Sequence, residues 1–268
     1  MLKRRMTFPA ALAAVLLLAP SHRSTAQEGV GKKVDLAAEI EALKEGQKAI
    51  RAELAEIKSL LTPKPPPPPD VPVTGVQMDL TKAYVGGDAK ATAVLIEFSD
   101  YQCAFCLQQA NTVMPEVNRD FVKTGRLRYA FRNFPLEDLH PQAFEAAEAA
   151  ECAGAQGRFW EMHQLLFDNQ KALARPDLLK YAGSLKLDGA AFQACLESGR
   201  YAEKIRQDQA AAAKAGVSGT PTLLIGVAKP GDPTVTITRM VVGAQPYPVL
   251  KGILERALSP KPEATAPK

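Results

Sequence analysis

The chain has 268 residues, 46% hydrophobic and 23% charged, a balance that excludes an intrinsically disordered protein and one that is membrane-embedded on average. Four cysteines in this length are too few for a disulfide framework, so stability must come from an apolar core. The formal charge of +4 is partly owed to Lys3, Arg4, Arg5 and Arg23 near the N-terminus, and the near-neutral remainder does not point to nucleic acid as a partner.

Those first residues read as a cleavable export signal over 1–26. Three basic residues precede an apolar stretch of about 14 residues, short of the roughly 20 that span a bilayer, and Ser24-Thr25-Ala26 offers a small-residue cleavage site. An uncleaved membrane anchor is the competing expectation. Export to the periplasm, or otherwise out of the cytoplasm, would put the chain where disulfides persist.

Residues 35–62 carry a heptad pattern that predicts a coiled-coil oligomerisation helix. Ile40, Gln47, Leu54 and Leu61 fall at position a, and Leu36, Leu43, Ile50 and Ile57 at d. Lys44, Arg51 and Lys58 then occupy e, with Glu39 and Glu53 at g, a charge arrangement that favours parallel copies. Gly46 costs about 1 kcal/mol in a helix interior, and so short a helix is marginal alone. Its apolar stripe is expected to meet another copy, the chain's own globular part, or a partner. Residues 63–73 form a proline-rich linker, because Pro63, the Pro65 to Pro69 run and Pro72 deny the helix its donors. In polyproline geometry it acts as a spacer of roughly 30 Å.

From 74 to 258 no further linker interrupts the pattern, which predicts one globular domain, followed by a disordered tail over 259–268. Ala93–Ser99 reads as a buried strand and 102–122 as a helix kinked at Pro115. A strand over 126–132 follows, then a helical block over 141–152, 158–167, Arg175–Ser184, Gly189–Glu197 and 201–215. Strands over 222–225 and Thr234–Val242 precede a closing helix, Tyr247–Leu258. The order predicts an α/β, thioredoxin-like fold with an inserted helical subdomain, preceded by the N-terminal coiled-coil helix.

The chemistry is concentrated in Cys103-Ala104-Phe105-Cys106, at the junction of the buried strand and the long helix. A helix N-terminus favours the thiolate, so Cys103 is the candidate nucleophile and Cys106 the resolving thiol. Half of a zinc site is the rival meaning of this spacing, but no second close pair or histidine cluster completes it, and no metal or cofactor is expected. His22 lies in the export signal, His140 near a helix start and His163 on a helix, none spaced as a catalytic base.

The chain resembles the DsbA-like thiol-disulfide oxidoreductases of the thioredoxin superfamily. Four ordered segments carry the likeness: the run from Glu97 to Cys103, Arg132-Asn133-Phe134-Pro135-Leu136 with His140-Pro141, Gln156-Gly157-Arg158-Phe159-Trp160, and the run from Gly216 to Thr222. The heptad and proline segments lie outside it, and look like the oligomerisation stalks of some periplasmic disulfide isomerases.

The resemblance implies that Pro221 is a cis-proline facing the cysteines, turning the Thr220 backbone toward an extended substrate. A trans proline opening a strand is the alternative. It also implies that Glu97 is a buried acid beneath the thiol pair, able to move protons to and from Cys106. A solvent-exposed glutamate at the strand end is the competing expectation. Ala104 and Phe105 replace the proline and histidine of strongly oxidising members, which implies a less oxidising site. Cys152 and Cys195, on helices of the insert, are expected to form a structural disulfide, with two unpaired buried thiols as the alternative.

The function expected is thiol-disulfide exchange with cysteine-containing exported proteins, leaning to isomerase or reductase, with a membrane redox partner and homo-oligomerisation through 35–62. A disulfide oxidase, a non-catalytic coiled-coil holdase and a dedicated electron carrier are the alternatives.

Overall fold

A computed structural model describes residues 35–61 and 70–258. The expected export signal, most of the proline-rich linker and the expected tail lie outside the described residues. The chain divides into two units, residues 1–64 and 65–268.

In the first unit, α1 (Leu36–Leu61) is one 26-residue helix. The Asp35 carboxylate accepts hydrogen bonds from the Ala37 and Ala38 amides at 3.1 and 3.3 Å, capping donors that a helix start leaves unpaired. Leu36, Ile40, Leu43, Ile50, Leu54 and Ile57 of the heptad stripe are exposed. Lys44 pairs with Glu41 on its own helix at 3.0 Å.

The second unit is built on a seven-stranded mixed sheet, ordered β1-β7-β6-β4-β5-β3, with β2 also pairing β7. Its strands are β1 (Asp70–Pro72), β2 (Gln77–Asp79), β3 (Tyr84–Gly86), β4 (Ala93–Ser99), β5 (Leu127–Asn133), β6 (Thr222–Val227) and β7 (Thr234–Val242). β4 is parallel to β5 and antiparallel to β6. Every residue of β4 is buried, as expected of a mostly apolar strand covered on both faces, and Glu97 and Ser99 are buried with the rest. Leu95 packs in one cluster with Val113, Met114, Val117 and Phe121, whereas Val94, Ile96 and Phe98 pack in another with Ala212 and Ala215.

The long helix after β4 differs from the single expected kink. It runs as α2 (Ala104–Gln108), a wide π turn (Gln109–Val113), α3 (Met114–Val117) and a second π turn (Asn118–Val122). Pro115 lies in the first turn of α3 and has no N–H to give, so the ladder widens just before it.

The insert comprises α4 (Ala143–Gly154), α5 (Phe159–Asp168), α6 (Arg175–Ser184), α7 (Gly189–Glu197) and α8 (Ala202–Lys214), and α9 (Tyr247–Leu258) follows β7. Cys152 on α4 and Cys195 on α7 are joined by a disulfide, with Cα atoms 6.0 Å apart. A buried polar network fixes the insert to the sheet. Arg132 Nη1 of β5 pairs with Asp208 of α8 at 2.6 Å, and Lys204 Nζ bridges Asp208 and Glu151 at 3.3 and 2.6 Å.

The sequence expectation missed β1, β2 and β3, each of three residues. Asp70–Pro72 falls inside the expected 63–73 linker, yet it pairs with β7 and buries Asp70 against Arg239 and Arg256. Three residues give too short a window for alternation to register, and Pro72 is tolerated because the strand lies at the sheet edge.

Candidate functional site

Cys103 ends the turn after β4 and is the N-cap of α2, with extended backbone at φ −73° and ψ 121°. Its side chain is 6% exposed and that of Cys106 fully buried, and both are free thiols. Phe105 between them is 64% exposed, leaving an aromatic face beside the nucleophile.

Several side chains fix this turn. The buried Asp100 carboxylate accepts from the Gln102 amide at 2.7 Å, the Leu136 amide at 2.7 Å and His140 Nδ1 at 2.9 Å. Gln170, between α5 and α6, donates its amide to the carbonyls of Tyr101 and Cys103 at 2.8 and 3.0 Å. Gln102 in turn accepts from the Gln142 amide at 2.5 Å. Both the loop after β5 and the insert therefore hold the cysteine turn in register.

The Thr220–Pro221 peptide bond is cis. The Cys103 thiol donates to the Thr220 carbonyl at 3.5 Å, so this loop faces the nucleophile directly. The Gly243 amide donates to the Pro221 carbonyl at 2.8 Å and holds the loop to β7.

The two thiols differ sharply in acidity. Cys103 is lowered to about 5, first by the hydrogen bond from the Cys106 thiol, against burial, with further help from the Cys106 and Phe105 amides and from Thr220. Cys106 is pushed far above the ordinary thiol range, first by burial and then by its pairing with Cys103. One sulfur is thus ionised at neutral pH and the other holds its proton.

Glu97 is buried on β4, contrary to the solvent-exposed alternative. Burial raises it to about 7, while the hydrogen bond from Tyr129 and the nearby Ser99 hydroxyl oppose the rise. Tyr129 Oη donates to Glu97 Oε2 at 2.8 Å. Ser99 and Tyr129 were missed as site residues by sequence reasoning. Ser99 had a usable signal, since two residues along a strand return to the same face; Gln170 had none, because only the fold brings the insert to the cysteine turn. His163 is buried and held neutral by that burial, down to about 3, with Tyr101 Oη 3.1 Å from its Nδ1.

The family model described as Thioredoxin matches residues 80–236. Among curated proteins, the Na(+)/H(+) antiporter NhaA 3 of Salinispora tropica is 42% identical over 150 residues, 56% of this chain and 22% of that protein. The Na(+)/H(+) antiporter NhaA 1 of Mycobacterium sp. strain KMS is 36% identical over 162 residues, 59% and 26% of the two lengths. The chain thus matches about a quarter, or less, of the length of these relatives. No described helix is long and apolar enough to cross a membrane. Among solved structures, oxidised BdbD from Bacillus subtilis aligns with TM-score 0.57 at 22% identity, covering 69% of this chain and 98% of that one. A thioredoxin-like oxidoreductase from Silicibacter pomeroyi DSS-3 aligns with TM-score 0.54 at 26% identity, covering 65% and 91%. Wolbachia pipientis alpha-DsbA1 aligns with TM-score 0.55 at 20% identity, covering 68% and 93%. With the sheet, the cysteine pair at the helix start and the helical insert in place, and with the family model matched over more than half of its length, the chain belongs to the thioredoxin family.

Proposed function

We propose that the protein is an exported thiol-disulfide oxidoreductase that exchanges disulfides with cysteine-containing proteins through Cys103 and Cys106. One observation carries this reading: an acidified, helix-capping Cys103 beside a buried, protonated Cys106. The Cys103 thiolate attacks a substrate disulfide, forming a mixed disulfide and releasing one substrate sulfur as thiolate. Cys106 then loses its proton and attacks Cys103 Sγ. The second substrate sulfur leaves, and two electrons have passed from the pair to the substrate. Oxidation of a substrate dithiol is the same path reversed, with a membrane redox partner restoring the pair.

In this reading the cis-Pro221 loop receives the substrate as an added strand and the Thr220 backbone aligns it. Glu97 serves as the buried proton acceptor for Cys106, and the Cys152–Cys195 disulfide braces the insert. Residues 1–26 direct export, 35–62 associate copies and the proline run links them to the domain. That layout favours isomerase or reductase action, because association places several sites around one misfolded chain.

A second direction, oxidase, is favoured by the acidity of Cys103. A stabilised thiolate stabilises the reduced enzyme, which makes the disulfide form a stronger oxidant. The Cys106 thiol first, then backbone amides and Thr220, supply that stabilisation without a histidine between the cysteines.

The test compares the full chain, Cys103→Ser and a chain beginning at Pro65 in insulin reduction and scrambled-ribonuclease refolding, with mass by light scattering. Loss of both activities in Cys103→Ser is expected, and absence of both from the full wild-type chain would leave a non-catalytic holdase instead. Isomerase action through association requires the shortened chain to be smaller in mass and to lose isomerisation more than reduction. An equilibrium with glutathione fixes the direction.

A further inference from the structure

We propose that the Ser99 hydroxyl relays the proton between Cys106 and Glu97; the proposal rests on the reading of the cysteine pair as a disulfide-exchange site. A fully buried thiol cannot attack until its proton has somewhere to go, and Cys106 has no exposed surface from which water could take it. Residues 93, 95, 97 and 99 share one face of β4. Leu95 on that face packs against Val113, Met114 and Val117 of the helix that begins at Cys103. Glu97 and Ser99, further along the same face, are therefore directed toward that helix's first turn, which carries Cys106.

The bonding capacities match. Glu97 Oε2 is occupied by Tyr129, whereas Oε1 is buried with no hydrogen-bond partner. Ser99 Oγ is also buried without one in the resting geometry. It lies near enough to both groups to favour the charged form of Glu97 and of Cys106. Thr220 acts on both thiols but not on Glu97, and Tyr129, which is near both Glu97 and Cys106, has its hydroxyl proton committed to Glu97 Oε2, so Ser99 is the hydroxyl left unpartnered between the acid and the resolving thiol. A hydroxyl can accept one proton while donating another.

In the resolving step the Cys106 S–H proton passes to Ser99 Oγ as the Ser99 proton passes to Glu97 Oε1. The Cys106 lone pair forms the bond to Cys103 Sγ, and the bond from Cys103 to the substrate breaks with its electron pair leaving on the substrate thiolate. Ser99 ends unchanged and Glu97 ends protonated.

The experiment prepares the mixed disulfide of Cys103 with a cysteine peptide in the full-length protein and follows peptide release against pH, in H2O and D2O. For Ser99→Ala, release is expected to slow roughly a hundredfold near neutral pH. Ser99→Thr should restore most of the rate, with Cys103 alkylation unchanged in both variants. Release by Ser99→Ala at the wild-type rate and pH profile would overturn the relay while leaving the exchange reading intact. So would a slow Ser99→Ala that Ser99→Thr fails to rescue, since that marks a structural role. Failure of the wild-type mixed disulfide to release peptide would instead remove the exchange reading, and the relay with it.

Discussion

Tyr129 Oη donates a 2.8 Å hydrogen bond to Glu97 Oε2, joining β5 to β4 beneath the cysteine turn. The bond favours ionised Glu97 and opposes the burial that keeps it protonated, and the balance falls near 7. Tyr129→Phe removes the donor and leaves the burial. The carboxyl is then expected to titrate at higher pH than in the wild type, as followed by its infrared band or by carbon-detected NMR. An unchanged midpoint would mean that the phenol does not poise the acid.

Glu97 also sets a pH dependence of stability. Its folded pKa is raised from 4.5 to about 7, so the folded state binds the proton more tightly than the unfolded state. The associated stability is full below about 4.5 and is lost as pH rises through about 7, at roughly 1.4 kcal/mol per unit of separation. Glu97→Gln has no proton to lose. Above pH 7 its denaturation midpoint should exceed that of the wild type, with the difference vanishing near pH 4. A constant offset at all pH values would contradict the assignment.

Cys103 has the opposite sign. Its folded value is lowered from 9.0 to about 5, so thiolate formation stabilises the folded reduced protein. This contribution is complete above the unfolded value near 9 and disappears as pH falls through about 5. The oxidised protein has no thiolate to lose. The stability of the reduced form relative to the oxidised form should therefore decline between pH 9 and pH 5, measured by paired urea titrations. Thiolate absorbance should give a midpoint near 5 that is absent in Cys103→Ser.

The elements that carry these groups were legible where apolar periodicity ran long. The bounds of β4, α6, α7, β7 and α9 agree with expectation, because each has a run of apolar residues, a cap or a proline that marks its limits. β1, β2 and β3 were not legible, since their pairing is decided by the β7 and β5 edges rather than by their own sequences. The cysteine pair was visible as a motif, and Glu97 through the resemblance. Tyr129, Gln170 and the triple acceptance by Asp100 depend on side chains brought together from distant segments, for which spacing along the chain holds no record.

The Cys152–Cys195 disulfide closes a loop across 43 positions. Cross-linking so long a segment removes conformational freedom from the unfolded chain and contributes about 4 kcal/mol in the chain-entropy account, with engineered and native cases often nearer 2. The paired substitution Cys152→Ala with Cys195→Ala should lower stability by about 2 to 4 kcal/mol in urea titration. Cys103 alkylation at pH 7 should persist while the fold is intact. A loss below about 0.5 kcal/mol would show that helix packing alone holds α4 to α7.

Arg132 and Asp208 meet at 2.6 Å with side chains 8% and 2% exposed, where α8 crosses β5. Arg158 and Glu161 are a comparable distance apart, 2.7 Å, but about half exposed on the surface of α5. Proximity is the same and the expected consequences differ. Removing Asp208 leaves a buried guanidinium without its paired carboxylate, and Arg132 keeps the hydrogen bond to the Asp79 carbonyl and the weaker attraction of the exposed Asp79 side chain. Lys204 would keep Glu151 as its partner. Asp208→Ala should therefore cost about 3 to 5 kcal/mol, whereas Glu161→Ala should cost less than about 1 kcal/mol and fade further in salt. The double variant Arg132→Met with Asp208→Leu, which removes both charges and keeps much of the volume, should recover most of the loss. If the double variant is instead as unstable as Asp208→Ala, the ion pair supplies attraction that packing cannot replace, and the buried charge left behind is not what destabilises the single variant.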